Sequence, residues 1–348
     1  MATIAATATA VPPHRFGQAE AAGYARAMPV ESRRAATVQQ IFANAGVRQR
    51  FAVRPLEWVM TPRPLDETSR EYRAQAVPLA RRVAVDCLER AGLTPKDVDT
   101  LVTVSCTGLM IPSLDAYLIN ELGFRPDVRR LPITELGCAG GAAGLARAAE
   151  LVRAHPGSNA LVVAVELCSL TFQQGDGSMA NVVSGALFGD GAAAALVTGP
   201  DAPGARVVDA VSHLFPDSYD TMGFDLRGSG LHIVLSSCVA ELIRRELPEI
   251  AGRLLARNGL TRDDLSCFVL HPGGRKVLEC MEEALAIPRE QVASSWHVLA
   301  EYGNLSSATV LFVLDEWLMR RRPPPGARGL LGAFGPGFSA ELLLLQWA

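Results

Sequence analysis

The stretch Leu131-Pro-Ile-Thr-Glu-Leu-Gly-Cys138-Ala-Gly-Gly-Ala-Ala-Gly-Leu-Ala-Arg-Ala148 admits few folds. It begins as a short apolar strand, breaks at Gly137-Cys138 and continues as a small-residue helix from about Ala139 to Val152. A side chain at such a break stands at a helix N-terminus, where unpaired backbone N–H groups and the helix dipole favour negative charge. A thiol there ionises more readily, and the thiolate is the nucleophile. The glycines and alanines allow close packing and close approach of a substrate to the backbone. A buried, inert cysteine in a tightly packed helix has the same local signature. The rest of the chain has to decide between the two.

Apolar strands alternate with helices on both sides of this corner. Thr100–Cys106, Asn159–Cys168 and Gly189–Val197 read as buried strands, with helices over Leu114–Leu122 and Asn181–Leu187 between them. Upstream, a strand over residues 3–11 stops at Pro12-Pro13. Helices follow over Gln18–Met28 and Arg33–Ala45, then an alternating strand Val47–Val53, a loop over 54–67 and an amphipathic helix Glu71–Ala91. Near-continuous apolar strands between helices indicate an α/β layered fold with a sheet covered on both faces. Gly199-Pro-Asp-Ala-Pro-Gly204 is the best internal boundary, dividing the chain into halves 1–200 and 205–348. The second half repeats the alternation: strands Arg206–Leu214 and Leu231–Leu235, helix Glu241–Asn258, strand Ser266–Leu270, helix Lys276–Leu285, a connector, helix Ser306–Arg321, and strands Gly329–Ala333 and Glu341–Gln346. The parallel organisation hints at a duplication.

With 348 residues, 49% of them hydrophobic, the chain can bury a large core. A formal charge of -3 gives no support for nucleic-acid binding. The seven cysteines show no CxxC or CxxH spacing, so neither a zinc site nor any other metal is expected, and their scatter suits free thiols in a reducing compartment. The N-terminus lacks the basic region of a signal peptide, and no apolar run reaches the length of a membrane span. A cytoplasmic protein is expected.

Two later corners offer partners for Cys138. Val269-Leu-His271-Pro-Gly-Gly places a histidine at the end of a buried strand, where α/β proteins build sites. Tyr302-Gly-Asn304-Leu-Ser-Ser-Ala places an asparagine at a helix start, where it also suits an N-cap. Each has a purely structural reading. Together they supply a nucleophile, a base and a hydrogen-bond donor.

With Gly137-Cys138-Ala-Gly-Gly, Leu187-Phe188-Gly-Asp-Gly-Ala-Ala, His271-Pro-Gly-Gly, Tyr302-Gly-Asn304-Leu-Ser-Ser-Ala and Gly332-Ala-Phe-Gly-Pro-Gly337 in this order, the chain resembles the type III polyketide synthases of the chalcone synthase superfamily over essentially its whole length. The resemblance implies a thiolase-like fold, a duplicated α-β-α-β-α arrangement, and a homodimer. It implies an acyltransferase that loads an acyl group from acyl-CoA and extends it by decarboxylative Claisen condensation with malonyl-CoA. No cofactor is expected beyond the coenzyme A thioesters, which are substrates. By motif match, Cys138 is the nucleophile, His271 holds its thiolate as an ion pair, and His271 and Asn304 donate to the thioester oxygen. Phe188 matches the gatekeeping phenylalanine, while Ile233 stands where a second ring is usual, which should widen the cavity mouth. Cys106, Cys168 and Thr171 align with cavity-lining positions, and Ile111, before Pro112, with the residue inserted into the partner's cavity. Thr37, Gln40 and Asn44 replace the basic residues that hold CoA phosphates in plant members; Arg275 and Lys276 are the candidates to take over.

The stretch from Asp220 to Ser236 looks more like bacterial alkylpyrone and alkylresorcinol synthases than plant enzymes, so a long-chain acyl starter is the first expectation. Alternatives are a tetrahydroxynaphthalene synthase primed by malonyl-CoA, a ketoacyl-ACP synthase III-like initiator, and a silent acyl-binding partner subunit.

Overall fold

The computed structural model describes residues 1–26, 28–31 and 34–348. Ala27, inside one predicted helix, and Arg33, the predicted start of the next, lie outside the described residues. Thirteen strands are present among the described residues: β1 (Ala2–Ala10), β2 (His14–Gly17), β3 (Gln49–Ala52), β4 (Thr100–Val104), β5 (Arg129–Ile133), β6 (Ala160–Leu167), β7 (Asp190–Thr198), β8 (Ala205–Leu214), β9 (Met222–Arg227), β10 (Gly230–Leu235), β11 (Cys267–Leu270), β12 (Arg328–Gly335) and β13 (Ser339–Trp347). Nine form one mixed sheet in the order β11-β12-β13-β8-β1-β7-β6-β4-β5.

The pairing exposes the duplication. Outward from β1, the pairs with β7, then β6, then β4 run antiparallel, antiparallel and parallel. Outward from β8, the pairs with β13, β12 and β11 run in the same sequence. The two series meet where β1 pairs antiparallel with β8. Three helix layers cover this sheet. The helices Gly140–Ala154 and Thr309–Asp315 share one core cluster with Val102, Val162, Val269 and Leu331, and form the central layer. Helix Leu65–Arg90 packs Val83 and Ala84 on the opposite face of the first half, with Leu161 and Ala194. Helix Val239–Ala256 does the same for the second, with Phe268 and Leu342. This is the expected thiolase-like α/β layering. All eight residues of β6 are buried, which explains its unbroken apolar reading.

Three local expectations are corrected. Residues 54–67 are not simply loop: Leu56–Val59 is a helical turn, and the long helix starts at Leu65, directly after Pro64, with Asp66 and Glu67 favouring its N-terminus. The connector after residue 285 contains a helix, Ala293–Tyr302. Its buried face carries Ser294 and Ser295, which breaks the apolar period; Ser295 satisfies itself by donating to Leu270 O at 2.7 Å. The segment Ser306–Arg321 is a tight 3₁₀ turn, an α-helix and a final π turn rather than one α-helix. Strand β9 also went unread, and it pairs with β10 in a separate hairpin beside the cavity. Among the described residues, no helix is long and apolar enough to cross a membrane.

Candidate active site

Cys138 occupies the middle of a 3₁₀ turn, Gly137–Ala139, that leads into the helix Gly140–Ala154. Gly137 has φ 47°, and a Cβ there would stand 2.5 Å from Pro336 Cδ, so only glycine fits the turn. His271 follows β11, and Asn304 follows helix Ala293–Tyr302; both are buried. The three side chains line one cavity of about 550 Å³. That volume lies within the usual range of small-molecule sites.

The asparagine is oriented by its neighbours. Its Oδ1 accepts from Ser306 N–H at 2.8 Å and from Thr309 Oγ1 at 3.2 Å. A backbone N–H can only donate, so this assigns the oxygen and leaves Nδ2 as the donor. One Nδ2 hydrogen goes to Gly273 O at 3.2 Å; the other is available to a ligand. Cys138 Sγ lies 3.6 Å from Ser306 Oγ and 3.9 Å from Asn304 Oδ1.

Electrostatics correct one expectation. The helix terminus does not lower the Cys138 thiol: burial pushes it up to about 11, although Ser306 and Asn304 pull the other way. The desolvation of a charge outweighs a dipole that is screened by the first turn. Burial alone takes His271 down to about 3, and neither ring nitrogen has a hydrogen-bond partner among the described residues. Each group separately is held neutral. Moving the thiol proton onto the imidazole creates no net charge, so burial opposes a thiolate–imidazolium pair less than it opposes either ion alone.

Of the other predicted residues, Phe188, Ile233, Cys106, Cys168 and Thr171 all line the cavity, as do Arg275 and Lys276 at exposed positions. Thr171 donates to Cys168 O at 2.9 Å. Ile233 pairs across the hairpin with Phe224, which lines the same cavity, so a ring comes from the neighbouring strand. Arg275 binds Glu279 at 2.8 Å, whereas Lys276 makes no ion pair among the described residues. Asn44 reaches the cavity; Thr37 and Gln40 are exposed. Ile111 does not line this cavity. It is fully exposed in a loop, after which the Ile111–Pro112 bond is cis.

Sequence reasoning passed over Glu166, on β6. Its buried carboxylate accepts from Thr107 Oγ1 at 2.6 Å, from Cys106 N–H at 3.1 Å and from Ser307 Oγ. Burial raises its pKa, and these donors counter the rise. The signal was present: Glu166 is the single charge in the apolar run 159–168.

Comparison with known proteins agrees with this geometry. Residues 1–202 match the N-terminal domain of chalcone and stilbene synthases, and residues 206–347 match the C-terminal domain. The chain belongs to this family, and is a type III polyketide synthase, an acyltransferase. It is 41% identical to the 1,3,6,8-tetrahydroxynaphthalene synthase of Streptomyces peucetius subsp. caesius, over 99% of this chain and 93% of that one. The crystal structure of the tetrahydroxynaphthalene synthase of Streptomyces coelicolor A3(2) superposes with a TM-score of 0.96 at 34% identity, covering 99% of each chain. Identity to the alpha-pyrone synthesis polyketide synthase-like Pks18 of Mycobacterium tuberculosis is 29%, over 99% of this chain and 91% of that one.

Proposed function

We propose that this synthase primes and extends with malonyl-CoA, on Cys138, in the manner of a tetrahydroxynaphthalene synthase. The observation that carries the chemistry is the convergence of a buried thiol, a partnerless imidazole and an oriented amide on one cavity. Cys138 takes the acyl group from the CoA thioester after His271 accepts its proton, and coenzyme A leaves as a thiolate that takes the proton back from the imidazolium. Asn304 Nδ2–H and the imidazole N–H then donate to the malonyl thioester oxygen. Loss of CO2 leaves an enolate whose negative oxygen these donors stabilise, each typically contributing about 3 kcal/mol. The enolate carbon attacks the Cys138 thioester and displaces the thiolate. Phe188 presents an apolar face to the departing carboxylate and favours the uncharged product.

Lys276, and to a lesser degree the paired Arg275, hold the CoA phosphates at the cavity mouth. Lys276→Glu should raise KM for malonyl-CoA several-fold with kcat little changed; an unchanged KM removes Lys276 from the site.

The choice of starter follows the higher identity to the tetrahydroxynaphthalene synthase. A long-chain acyl starter is the second reading, favoured by the apolar wall of Leu235, Val239 and Ile243. Incubation with labelled malonyl-CoA alone should give an aromatic product. Product only when a starter of eight or more carbons is added would select the second reading. The fully exposed Ile111 supports a homodimer whose partner covers it; the two halves, 1–200 and 205–348, form one working unit, since the cysteine comes from one and the histidine and asparagine from the other. The cytoplasm is the proposed location.

A further inference from the structure

Helix Met179–Leu187 ends in an unusual way. The last carbonyls of a helix lack intrahelical partners and are commonly closed by a glycine turn. Here Phe188 follows directly in extended conformation, and the carbonyls are satisfied by groups from distant parts of the chain. Arg50, on β3, donates from Nη1 to Gly185 O at 2.7 Å and to Phe188 O at 2.8 Å. Its Nη2 donates to Gln18 Oε1 at 3.1 Å. Gln18 in turn donates to Ala186 O at 2.9 Å and Phe42 O at 3.0 Å. The remaining carbonyl, Leu187 O, accepts from Asn304 N–H at 2.8 Å, while Gly189 N–H donates to Asn304 O at 3.0 Å. Phe188 and Asn304 are thus bridged as neighbouring backbone segments, and one guanidinium fixes the frame.

Arg50 is 2% exposed, stacks over Phe16 at 5.0 Å and, among the described residues, has no carboxylate within ion-pair distance. Its aliphatic stem fills the space beside Gly303, where a Cβ would lie 2.9 Å from Arg50 Cδ. Burial lowers its pKa to about 9, so it stays charged at neutral pH. Holding a cation there is costly; the carbonyl oxygens it bonds and the charge of the buried Asp190 carboxylate offset the cost.

We propose that Arg50 is a positioning residue for decarboxylation: it sets the Phe188 ring and the Asn304 amide relative to each other, without touching substrate. The inference rests on the roles given above to Phe188 and Asn304. Arg50 acts on the malonyl half-reaction and leaves the thiol alone, because Cys138 is placed by Gly137 and Pro336 instead.

The test compares Arg50→Met, Arg50→Lys and Phe188→Ala in the full-length enzyme. Malonyl-CoA decarboxylation and alkylation of Cys138 by iodoacetamide are measured for each, with thermal melting as the check on folding. Arg50→Met should lower decarboxylation kcat by tenfold or more, with KM for malonyl-CoA and the alkylation rate within twofold of the parent. Arg50→Lys, which keeps the charge but not the two-pronged geometry, should fall between. Equal losses in both assays, or wild-type decarboxylation in either folded variant, overturn the proposal. If Arg50→Met does not fold, the Lys variant decides. Wild-type decarboxylation in Phe188→Ala would overturn the role of Phe188 alone; a selective loss in the Arg50 variants would then still support positioning through Asn304.

Discussion

The two halves of the molecule build the same corner and use it differently. In the first, the 3₁₀ turn Gly137–Ala139 opens helix Gly140–Ala154, which leads to β6. In the second, the 3₁₀ turn Ser306–Ala308 opens helix Thr309–Asp315, and the chain continues to β12, the strand in the matching place. The first residue of each turn has φ 47°, Gly137 in one and Ser306 in the other. Cys138 and Ser307 therefore hold equivalent positions. The thiol opens onto the cavity, whereas the Ser307 hydroxyl is committed to the buried Glu166 of the opposite half. Ser306 keeps a left-handed conformation unfavourable for a non-glycine residue; its N–H orients Asn304 and its hydroxyl stands 3.3 Å from Cys106 Sγ and 3.6 Å from Cys138 Sγ. Of two equivalent corners, one became the reactive centre and the other its support.

That assignment is broken most directly at Cys138. Cys138→Ala should abolish the acyl-enzyme mass shift and all chain extension; retained extension would mean that another group carries the chain. A smaller effect sharpens the comparison on the proton side. If His271 holds the Cys138 proton, replacing it removes the only way to ionise the thiol without creating a net buried charge. His271→Gln should therefore shift the midpoint of iodoacetamide alkylation upward, toward about 11, the value burial imposes on the thiol. An unchanged alkylation profile would dismiss the ion pair. Asn304→Ala should leave that profile nearly in place and act on kcat, by about 10²–10³ as for other oxyanion donors.

The smallest effect belongs to the supporting corner. Ser307→Ala removes one donor from Glu166 and should cost roughly 1–3 kcal/mol of stability, with turnover reduced only modestly. The donor stabilises the carboxylate, so its loss raises the Glu166 pKa further. The destabilisation is then fully present at pH values above that raised pKa, where Glu166 is ionised, and fades as pH falls through it. Thermal melts across pH measure it. A drop in turnover as large as that of Cys138→Ala would show that the second corner is no mere support.

Much of this was legible in the residues. The alternation of apolar strands and helices led to the layered fold, and the three polar residues at strand and helix ends led to the cavity. What stayed hidden follows a physical pattern. Helix Ala293–Tyr302 buries two serines, Ser295 bonding to Leu270 O and Ser294 to the Arg321 side chain, so its inner face has no apolar period. Glu166 and Arg50 are buried charges whose compensation comes from residues far along the chain, such as Ser307 and Phe188. Periodicity reports on neighbours in sequence and is blind to such partners. The direction of the Cys138 and His271 shifts was hidden for the same reason, since it depends on how much protein surrounds each group.

The packing of the cysteine turn has a consequence for the order of events at the ribosome. Gly137 closes against Pro336, Gly141 against Ser307 O, and Gly335 against Leu136 O and Ala139. Synthesis runs from the N-terminus, and the N-terminal part folds first. The turn that bears the nucleophile is therefore translated well before the residues that wall it in. Before Ser307, Gly335 and Pro336 are made, the turn lacks the atoms that close on it. The nucleophile's setting is completed from the other half of the chain, by the end of β12 and the residue that follows it.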